Sequence, residues 1–203
     1  VHLSLTDREI FKDGIWGPYK DAIIPDMYCM EGGQVSAGSI TKWFLNEFGI
    51  GGANPYGTMA QEAAKIPMGS EGVIALDFFQ GNRTPYKDPT AKGVFYGITL
   101  SHTRAHLYRA ILESVAYGTR NIIESMESEE NKINCLRGCG GVVFNPLWLQ
   151  IIADVTGKPI VLTEQSGNAG VLGCAVIAAV GSGKYESFPQ ACEHMVHVTK
   201  VVE

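Results

Sequence analysis

Three glycines stand within four consecutive positions, just before an asparagine and an apolar helical pattern. The segment Gly138–Gly141 is Gly-Cys-Gly-Gly, and Asn145 follows four residues later. Between a strand and a helix, such a turn directs backbone N–H groups and the positive helix end toward an anion. Without side chains, it also lets a flat ring approach closely. The same glycines would equally serve a tight connection, and their order matches neither GxGxxG nor GxxxxGKS/T.

A second glycine cluster precedes another apolar helical pattern. The segment Glu31–Trp43, EGGQVSAGSITKW, places Gly-Gly and then Ala-Gly at the start of an amphipathic stretch. Two glycine-lined helix starts in one α/β domain would suit a nucleotide held between them. The alternative for Gly38 is close helix packing, because a glycine inside a helix costs about 1 kcal/mol relative to alanine and needs a reason.

Hydrophobic periodicity predicts the elements that position these glycines. The clearest pattern is a long helix from about Thr103 to Met126, with apolar residues three or four positions apart on one face. Other helices are predicted at Gln34–Phe48, Ala60–Ile66, Pro146–Val155 and Ala169–Val180, and strands at Val1–Leu5, Val73–Phe79, Ile133–Cys139 and Ile160–Thr163. Strand and helix alternate in the second half, which favours an α/β fold.

Two further expectations concern loops and burial. The Gly/Pro-punctuated segments Phe11–Asp26 and Gly81–Gly93 are predicted as loops. The helix Ala169–Val180 is apolar nearly all round, which predicts that it is buried.

The composition excludes several classes of function. The chain has 203 residues, 45% apolar and 18% charged, so a globular domain with a sizeable core is expected. A formal net charge of −5 offers no basic surface for nucleic acid or an anionic membrane, and no run approaches the ~20 apolar residues of a membrane span. Five scattered cysteines, an odd number, indicate free thiols and a reducing, cytoplasmic setting.

The two ends of the sequence indicate part of a longer protein. It opens directly on the strand-like run VHLSL, without a secretory leader, and closes on VVE. Domains usually begin in exposed polar segments. We therefore expect residues 1–203 to be an interior piece.

One long motif carries a resemblance to a known family. Gly93–Glu113, GVFYGITLSHTRAHLYRAILE, resembles the second signature of the FGGY carbohydrate kinases. Its matching residues are Gly93, Phe95, Gly97, Ile98, His106, Leu107, Ala110, Ile111, Leu112 and Glu113. The segments Trp16–Tyr19, Glu31–Gln34, Gly81–Pro85, Asn145–Gln150 and Ala153–Pro159 resemble the ribulokinase-like, pentulose-kinase branch. The similarity extends over essentially the whole chain.

The resemblance implies a fold, a ligand and a partner domain. Residues 1–203 would be the C-terminal, nucleotide-binding domain of a two-domain kinase with an actin-like (ribonuclease H-like) α/β fold, truncated at its N-terminal edge. ATP with Mg²⁺ would lie in the cleft facing the N-terminal domain, which binds the sugar more deeply. The family's catalytic aspartate would precede Val1, so no catalytic residue and no metal ligand is assigned within this chain, which alone would be inactive.

Individual residues carry over from the family's motifs. The turn Gly138, Gly140 and Gly141, with Asn145, would contact the adenine end of the nucleotide, although Cys139 interrupts an otherwise unbroken glycine run. Gly38 and Lys42 would form the other nucleotide-side segment, where Lys42 replaces a glutamine of some relatives. Glu31 would reach the sugar hydroxyls, and its alternative is a carboxylate complementing a helix dipole.

Other candidate groups are given structural interpretations. His102 and His106 are four apart but lack the HExxH glutamate and a third ligand, so helix-start roles are favoured over a metal. Cys135 and Cys139 have no second pair, which favours buried thiols over zinc. Arg83 would contact a phosphate or the other domain, or bond the carbonyls of its own loop, and the last is preferred.

The sequence therefore predicts that the full-length protein is an ATP-dependent kinase of a small sugar, with a pentulose such as ribulose as first choice. Water-excluding domain closure would position the reactants. A homo-oligomer is left open, and no nucleic-acid or membrane partner is expected. Two alternatives remain: a non-catalytic actin-like nucleotide-binding or regulatory protein, and an interaction domain without nucleotide, since a fold alone does not define function.

Overall fold

Helices and strands alternate along the chain, as expected for an α/β domain. The computed structural model describes residues 2–203. Its strands are β1 His2–Thr6, β2 Trp16–Lys20, β3 Tyr28–Gly32, β4 Ile74–Leu76, β5 Val94–Tyr96, β6 Leu136–Arg137, β7 Ile160–Thr163 and β8 Val198–Val202. Its α-helices are α1 Gly38–Glu47, α2 Pro55–Ala63, α3 Arg104–Met126, α4 Pro146–Thr156, α5 Ala169–Gly181 and α6 Phe188–Met195.

The long helix α3 is the element against which the others pack. Its 23 residues span about 35 Å. Thr103 stands at its N-cap, and the backbone N–H of Thr103 donates to Nδ1 of His106 at 3.1 Å. A histidine thus takes the part that glutamate usually plays in a capping box. α1, α2, α4 and β4 all contact α3.

Three small sheets complete the fold, of which the third packs on α4. β1, β3 and β2 form an antiparallel sheet in that order, and β4 pairs with β5 as an antiparallel hairpin. In the third sheet β7 is central, parallel to β6 and antiparallel to β8.

The main core lies between α3 and the helices α1, α2 and α4. Phe44 of α1, Met59 of α2 and Tyr108 of α3 are fully buried there, together with Trp148 of α4. The rings of Phe44 and Tyr108 lie 5.5 Å apart. Burying side chains of this size contributes about 1.5–3 kcal/mol each, so the starts of α1 and α4 are held firmly against α3.

The predicted helices Thr103–Met126 and Pro146–Val155 and the strand Ile160–Thr163 are confirmed to within one residue. The helix predicted at Ala60–Ile66 begins earlier, at Pro55, because Asn54 caps it and Pro55 opens it. The strand predictions around Ile74 and Leu136 were too long. Val1, included in the first predicted strand, lies outside the described residues.

Two expectations were wrong. Phe11–Asp26 is not all loop, since β2 pairs with β3 within it; β2 lies at a sheet edge, where its proline is tolerated. The helix α5 is not buried: only Val176 and Ala179 are, while Val171 and Ile177 are 73% and 61% exposed. Apolar composition indicated burial, but no described element covers this face. None of the helices in residues 2–203 is long and apolar enough to cross a membrane.

Candidate functional site

The two glycine-lined helix starts are fastened to the same turn of α3. Trp148, in the first turn of α4, donates its indole N–H to the Leu112 carbonyl at 3.1 Å. Gln34, just before α1, donates its side-chain amide to the Val115 carbonyl at 3.0 Å. Leu112 and Val115 are three residues apart, about 4.5 Å along the helix axis. Both segments that the sequence singled out are therefore anchored to one turn of α3.

The three glycines before α4 meet different structural requirements. A Cβ at Gly138 would lie 2.8 Å from Cδ2 of Leu162, so this glycine permits close packing on β7. Gly140 has φ 77° and ψ −156°, a conformation essentially restricted to glycine, and its N–H donates to the Ser166 carbonyl at 2.9 Å. Gly141 has open space around the position of a Cβ. The tight-connection interpretation thus explains Gly138 and part of Gly140, but leaves Gly141 unexplained.

The segment beside Gly141 carries no charged residue, and its exposed part combines glycine backbone with the side chain of Phe144, which is 75% exposed. In the described structure, the N–H groups of Gly141 and Val142 make no backbone hydrogen bond. Asn145 caps α4 by accepting from the Trp148 N–H at 3.1 Å, and Pro146 occupies the first helical position. Pro146 has no N–H and the Trp148 N–H is occupied by the cap, so few free N–H groups remain at the start of this helix. Residues 138–146 also carry no charge. The surface therefore suits a flat ring better than a phosphate.

The start of α1, unlike that of α4, has free backbone N–H groups. Ala37, its N-cap residue, provides no side-chain cap. The first N–H groups of the helix therefore remain available to an anion. A Cβ at Gly38 would meet nothing within 4 Å, so the packing explanation for Gly38 is wrong. Lys42 is exposed one turn further on and makes no ion pair within residues 2–203.

Glu31 belongs to an ion pair that the sequence analysis did not foresee. Its carboxylate lies 2.8 Å from a guanidinium nitrogen of Arg83, whose side chain lies 5.2 Å above the ring of Trp16. Glu31 is in β3, and α1 starts seven residues later, so the helix-dipole alternative for Glu31 is wrong. The preferred role of Arg83 was wrong too, because it bridges to β3 instead of bonding its own loop.

A buried polar network lies behind this pair. Gln34 donates to Oδ2 of Asp77 at 2.5 Å, and Thr119 donates its hydroxyl to Oε1 of Gln34 at 3.3 Å. Burial raises the pKa of Asp77, and the hydrogen bond from Gln34 offsets part of that rise. Gly118 makes room for the network, since a Cβ there would lie 2.7 Å from Oδ2 of Asp77.

Sequence reasoning did not identify this network, although signals for it were present. Asp77 interrupts the apolar run VIALDFF, and a lone acid in a strand-like run indicates a buried polar function. Gly118 stands in the middle of a long helix, where a glycine indicates close approach. What the sequence does not show is that these two positions meet Gln34, which is 43 and 84 residues away.

The cavity beside the network is small. It encloses about 20 Å³ between Gln34, Asp77, Arg83 and Thr84, which is room for roughly one water molecule. A larger open groove of about 510 Å³ lies between α5 and α6. None of the residues singled out from the sequence lines that groove.

The histidine prediction is confirmed and the cysteine prediction is wrong. His106 caps α3, and Nδ1 of His102 accepts from the Thr99 N–H at 2.9 Å, so both have helix-start roles. Cys135 and Cys139 are exposed, not buried, because β6 is only two residues long and leaves them in loops. The described residues contain no group of three or more His, Cys, Asp or Glu placed to hold a metal ion.

Comparison with solved structures defines the class of fold. The chain superposes on a xylulose kinase from Rhodospirillum rubrum with a TM-score of 0.79 at 25% identity, over 98% of this chain and 40% of that one. It superposes on a glycerol kinase from Plasmodium falciparum, solved with ADP, with a TM-score of 0.80 at 24% identity, over 99% and 40%. The chain has the actin-like ATPase fold of these sugar kinases.

Sequence comparison then identifies the family. The sequence profile of the FGGY family of carbohydrate kinases, C-terminal domain, matches residues 1–182. The chain belongs to this family. It is 34% identical to an FGGY carbohydrate kinase domain-containing protein from Xenopus laevis, over 99% of this chain and 40% of that protein. It is 32% identical to a ribulokinase from Halalkalibacterium halodurans, over 97% and 37%. The chain thus spans about 40% of the length of these relatives.

Proposed function

We propose that the full-length protein is an ATP-dependent kinase of a small sugar, a pentulose such as ribulose, and that this chain supplies the nucleotide side of its cleft. The observation that carries the proposal is the anchoring of two helix-start segments on one turn of α3. One start has no side-chain cap, and the other carries no charged residue. Family membership and the similarity to ribulokinases support the sugar class.

The two helix starts have complementary tasks. The backbone around Gly140 and Gly141 faces the adenine ring, and the Nδ2 group of Asn145, whose Oδ1 is used by the cap, is left to donate to a ring nitrogen. The uncapped start of α1 at Gly38, with the Lys42 ammonium one turn on, faces the phosphates. Gly138 supports the turn from behind by its packing on β7.

ATP with Mg²⁺, when bound, supplies the phosphoryl group that is transferred to a sugar hydroxyl. The open space at Gly38, Gly140 and Gly141 fits a nucleotide. Mg²⁺ usually binds substrate phosphates and keeps several waters, so none of this chain's residues is assigned to it.

Glu31 is the residue through which this half would reach the sugar. Its carboxylate accepts hydrogen bonds from sugar hydroxyls, and Arg83 fixes its orientation from the opposite side. The 20 Å³ cavity is too small for a sugar, so most of the sugar site belongs to the N-terminal domain of the same protein. Closure of the two domains would exclude water from the reacting groups. A cytoplasmic location is part of the proposal, since four exposed thiols persist in a reducing compartment.

The test is ADP release by the full-length protein. The purified enzyme is given Mg-ATP with each of a panel of pentuloses, hexuloses, pentitols and glycerol. Release stimulated by one or two pentuloses above the sugar-free rate is expected. Release with glycerol or a hexulose alone would contradict the pentulose assignment. ATP binding without release for any sugar would contradict the kinase assignment and favour a non-catalytic nucleotide-binding protein.

A further inference from the structure

Four consecutive residues between α2 and β4 have left-handed backbone conformations. The φ angles of Gly69, Ser70, Glu71 and Gly72 are 81°, 47°, 52° and 95°. Glycine adopts such angles freely, but Ser70 and Glu71 carry a Cβ that opposes them. Residues in this region keep their conformation only when the surrounding structure fixes it. The turn 69–72 therefore needs contacts that hold it in place.

Glu113 of α3 binds the first half of this turn. One of its carboxylate oxygens accepts from the Gly69 N–H at 3.1 Å, and the other accepts from the Ser70 hydroxyl at 3.2 Å. Arg109 donates to the same carboxylate at 2.8 Å, and both members of this ion pair are buried. The carboxylate that holds the turn is therefore itself fixed in one orientation.

His106 and Gly97 contact the second half of the turn. Nδ1 of His106 accepts from the Thr103 N–H, so the neutral ring carries its proton on Nε2. This Nε2–H donates to a carboxylate oxygen of Glu71 at 3.1 Å. Gly97 lies against the Gly72 carbonyl oxygen, with which a Cβ at position 97 would collide. Both halves of the turn are thus held.

Three residues of the long motif 93–113 meet at this one turn. We call them the signature clamp: Gly97, His106 and Glu113. Because the turn 69–72 leads directly into β4, the signature clamp fixes where that strand begins. Val73 and Ala75 pack with Ala110 of α3 in a buried cluster, so β4 has little freedom to move independently of the turn.

The strand β4 connects the turn to the start of α1. Asp77 follows β4 directly, and its carbonyl accepts from the Ser36 hydroxyl at 3.0 Å. Ser36 is 2% exposed and immediately precedes Ala37, the N-cap residue of α1. Gln34 donates to the carboxylate of Asp77 as well. A contiguous series of contacts therefore joins the signature clamp to the first N–H groups of α1.

We propose that His106 and Glu113 are positioning residues for phosphate binding. The signature clamp holds the turn 69–72, the turn fixes β4, and Asp77 then orients Ser36 and the first N–H groups of α1. This inference rests on the proposed function, in which those N–H groups face the phosphates of ATP. Releasing the turn should leave the adenine side unchanged, because α4 is anchored separately, through its own hydrogen bond to α3.

The test exchanges the charges of the pair His106 and Glu71 in the full-length protein. His106→Glu keeps an acceptor for the Thr103 N–H, as in an ordinary capping box, but sets a carboxylate against Glu71. Glu71→Lys sets an ammonium against the Nε2–H of His106. The Glu71 side chain is 54% exposed, so this second variant removes little packing. The double variant His106→Glu/Glu71→Lys pairs a carboxylate with an ammonium again.

The measurements are the dissociation constants of ADP and of adenosine, and hydrogen exchange of the ligand-free protein. Each single variant should bind ADP about threefold to thirtyfold more weakly and adenosine like the wild type, because only ADP carries phosphates. Amides of residues 34–42 should exchange faster in both, and those of residues 138–142 should not. The double variant should restore the ADP affinity and the slower exchange. The two single substitutions change the net charge in opposite directions, so long-range attraction of the anion does not explain a loss shared by both.

Arg104→Glu is the matched control. Arg104 pairs with Glu62 of α2 at 2.7 Å in the first turn of α3, so this variant also sets two carboxylates against each other, but on α2 and not on the turn 69–72. It should bind both ligands like the wild type. Equal losses of ADP and adenosine affinity, wild-type exchange at residues 34–42 in both single variants, or no rescue by the double variant would overturn the proposal. A wild-type protein that does not bind ADP would contradict the proposed function, and with it the phosphate role of the signature clamp, whatever the exchange at residues 34–42.

Discussion

Substituting the three glycines before α4 one at a time should separate stability from nucleotide affinity. At Gly138, an alanine Cβ would lie 2.8 Å from Leu162 and 3.2 Å from Ile160. Overpacking of this kind costs about 1–3 kcal/mol. For a domain of this size, that corresponds to a fall in melting temperature of roughly 2–4 °C per kcal/mol. Nucleotide affinity should change little, because Gly138 faces β7.

Gly141 should show the opposite behaviour. Its Cβ would enter open space, and its φ is not positive, so Gly141→Val should change stability by no more than about 0.5 kcal/mol. The valine would occupy the space into which the adenine ring packs. A loss of at least tenfold in nucleotide affinity, about 1.4 kcal/mol, is expected. Gly140→Ala should impair both properties, with strain of about 1–3 kcal/mol.

The assay uses the full-length protein, with melting temperature from calorimetry and the dissociation constant of ADP from titration calorimetry. Gly138→Ala shows how far a loss of stability alone weakens ADP binding. Gly141→Val shows how far a loss of ADP binding alone changes the melting temperature. If Gly141→Val binds ADP like the wild type, the turn does not hold the nucleotide. If Gly138→Ala weakens ADP binding without lowering the melting temperature, the packing explanation for Gly138 is wrong.

Three further predictions concern α3 and the sugar side. Glu113→Leu leaves the buried Arg109 guanidinium, 2.8 Å from the carboxylate, without its partner. Urea unfolding should show a loss of about 3–5 kcal/mol, and a loss under about 1 kcal/mol would contradict this. Burial raises the pKa of Asp77, so the folded protein binds the carboxyl proton of Asp77 more tightly than the unfolded chain does. The free energy of unfolding should therefore fall as the pH rises from the ordinary pKa of an aspartate to the raised pKa of Asp77. Asp77→Asn should remove that fall in melting curves recorded across this range, and an unchanged pH profile would refute it. Glu31→Gln should raise the sugar KM about tenfold and leave the ATP KM unchanged, whereas equal effects on both would contradict a sugar contact.

The elements near the site were predictable where local signals agreed. α3 has a long apolar face, a capping Thr103 and no internal proline, so its bounds followed from the sequence alone. α4 has Asn145 and Pro146 at its start and Gly157 at its end, which are standard helix boundary residues. The tight packing of Gly138 was one of two interpretations that the sequence left open, and the structure selects it for this glycine.

The remaining features depend on contacts between distant parts of the chain. Arg83 was assigned to its own loop because its partner Glu31 is 52 positions away, beyond any local pattern. β2 contains a proline, and only its pairing with β3 makes it a strand. Whether α5 is buried depends on which other part of the protein packs against it, and the sequence of the helix does not contain that information. Apolar composition predicts that a helix needs a partner, but it does not tell where the partner lies.

The most direct test of the nucleotide site is hydrogen exchange of the full-length protein with and without ADP. Slower exchange is expected at two separate segments, the start of α1 around Gly38–Lys42 and the turn and helix start from Gly140 to Trp148. Protection confined to other parts of the protein, with both helix starts unchanged at saturating ADP, would contradict the assignment of this chain as the nucleotide side of the cleft.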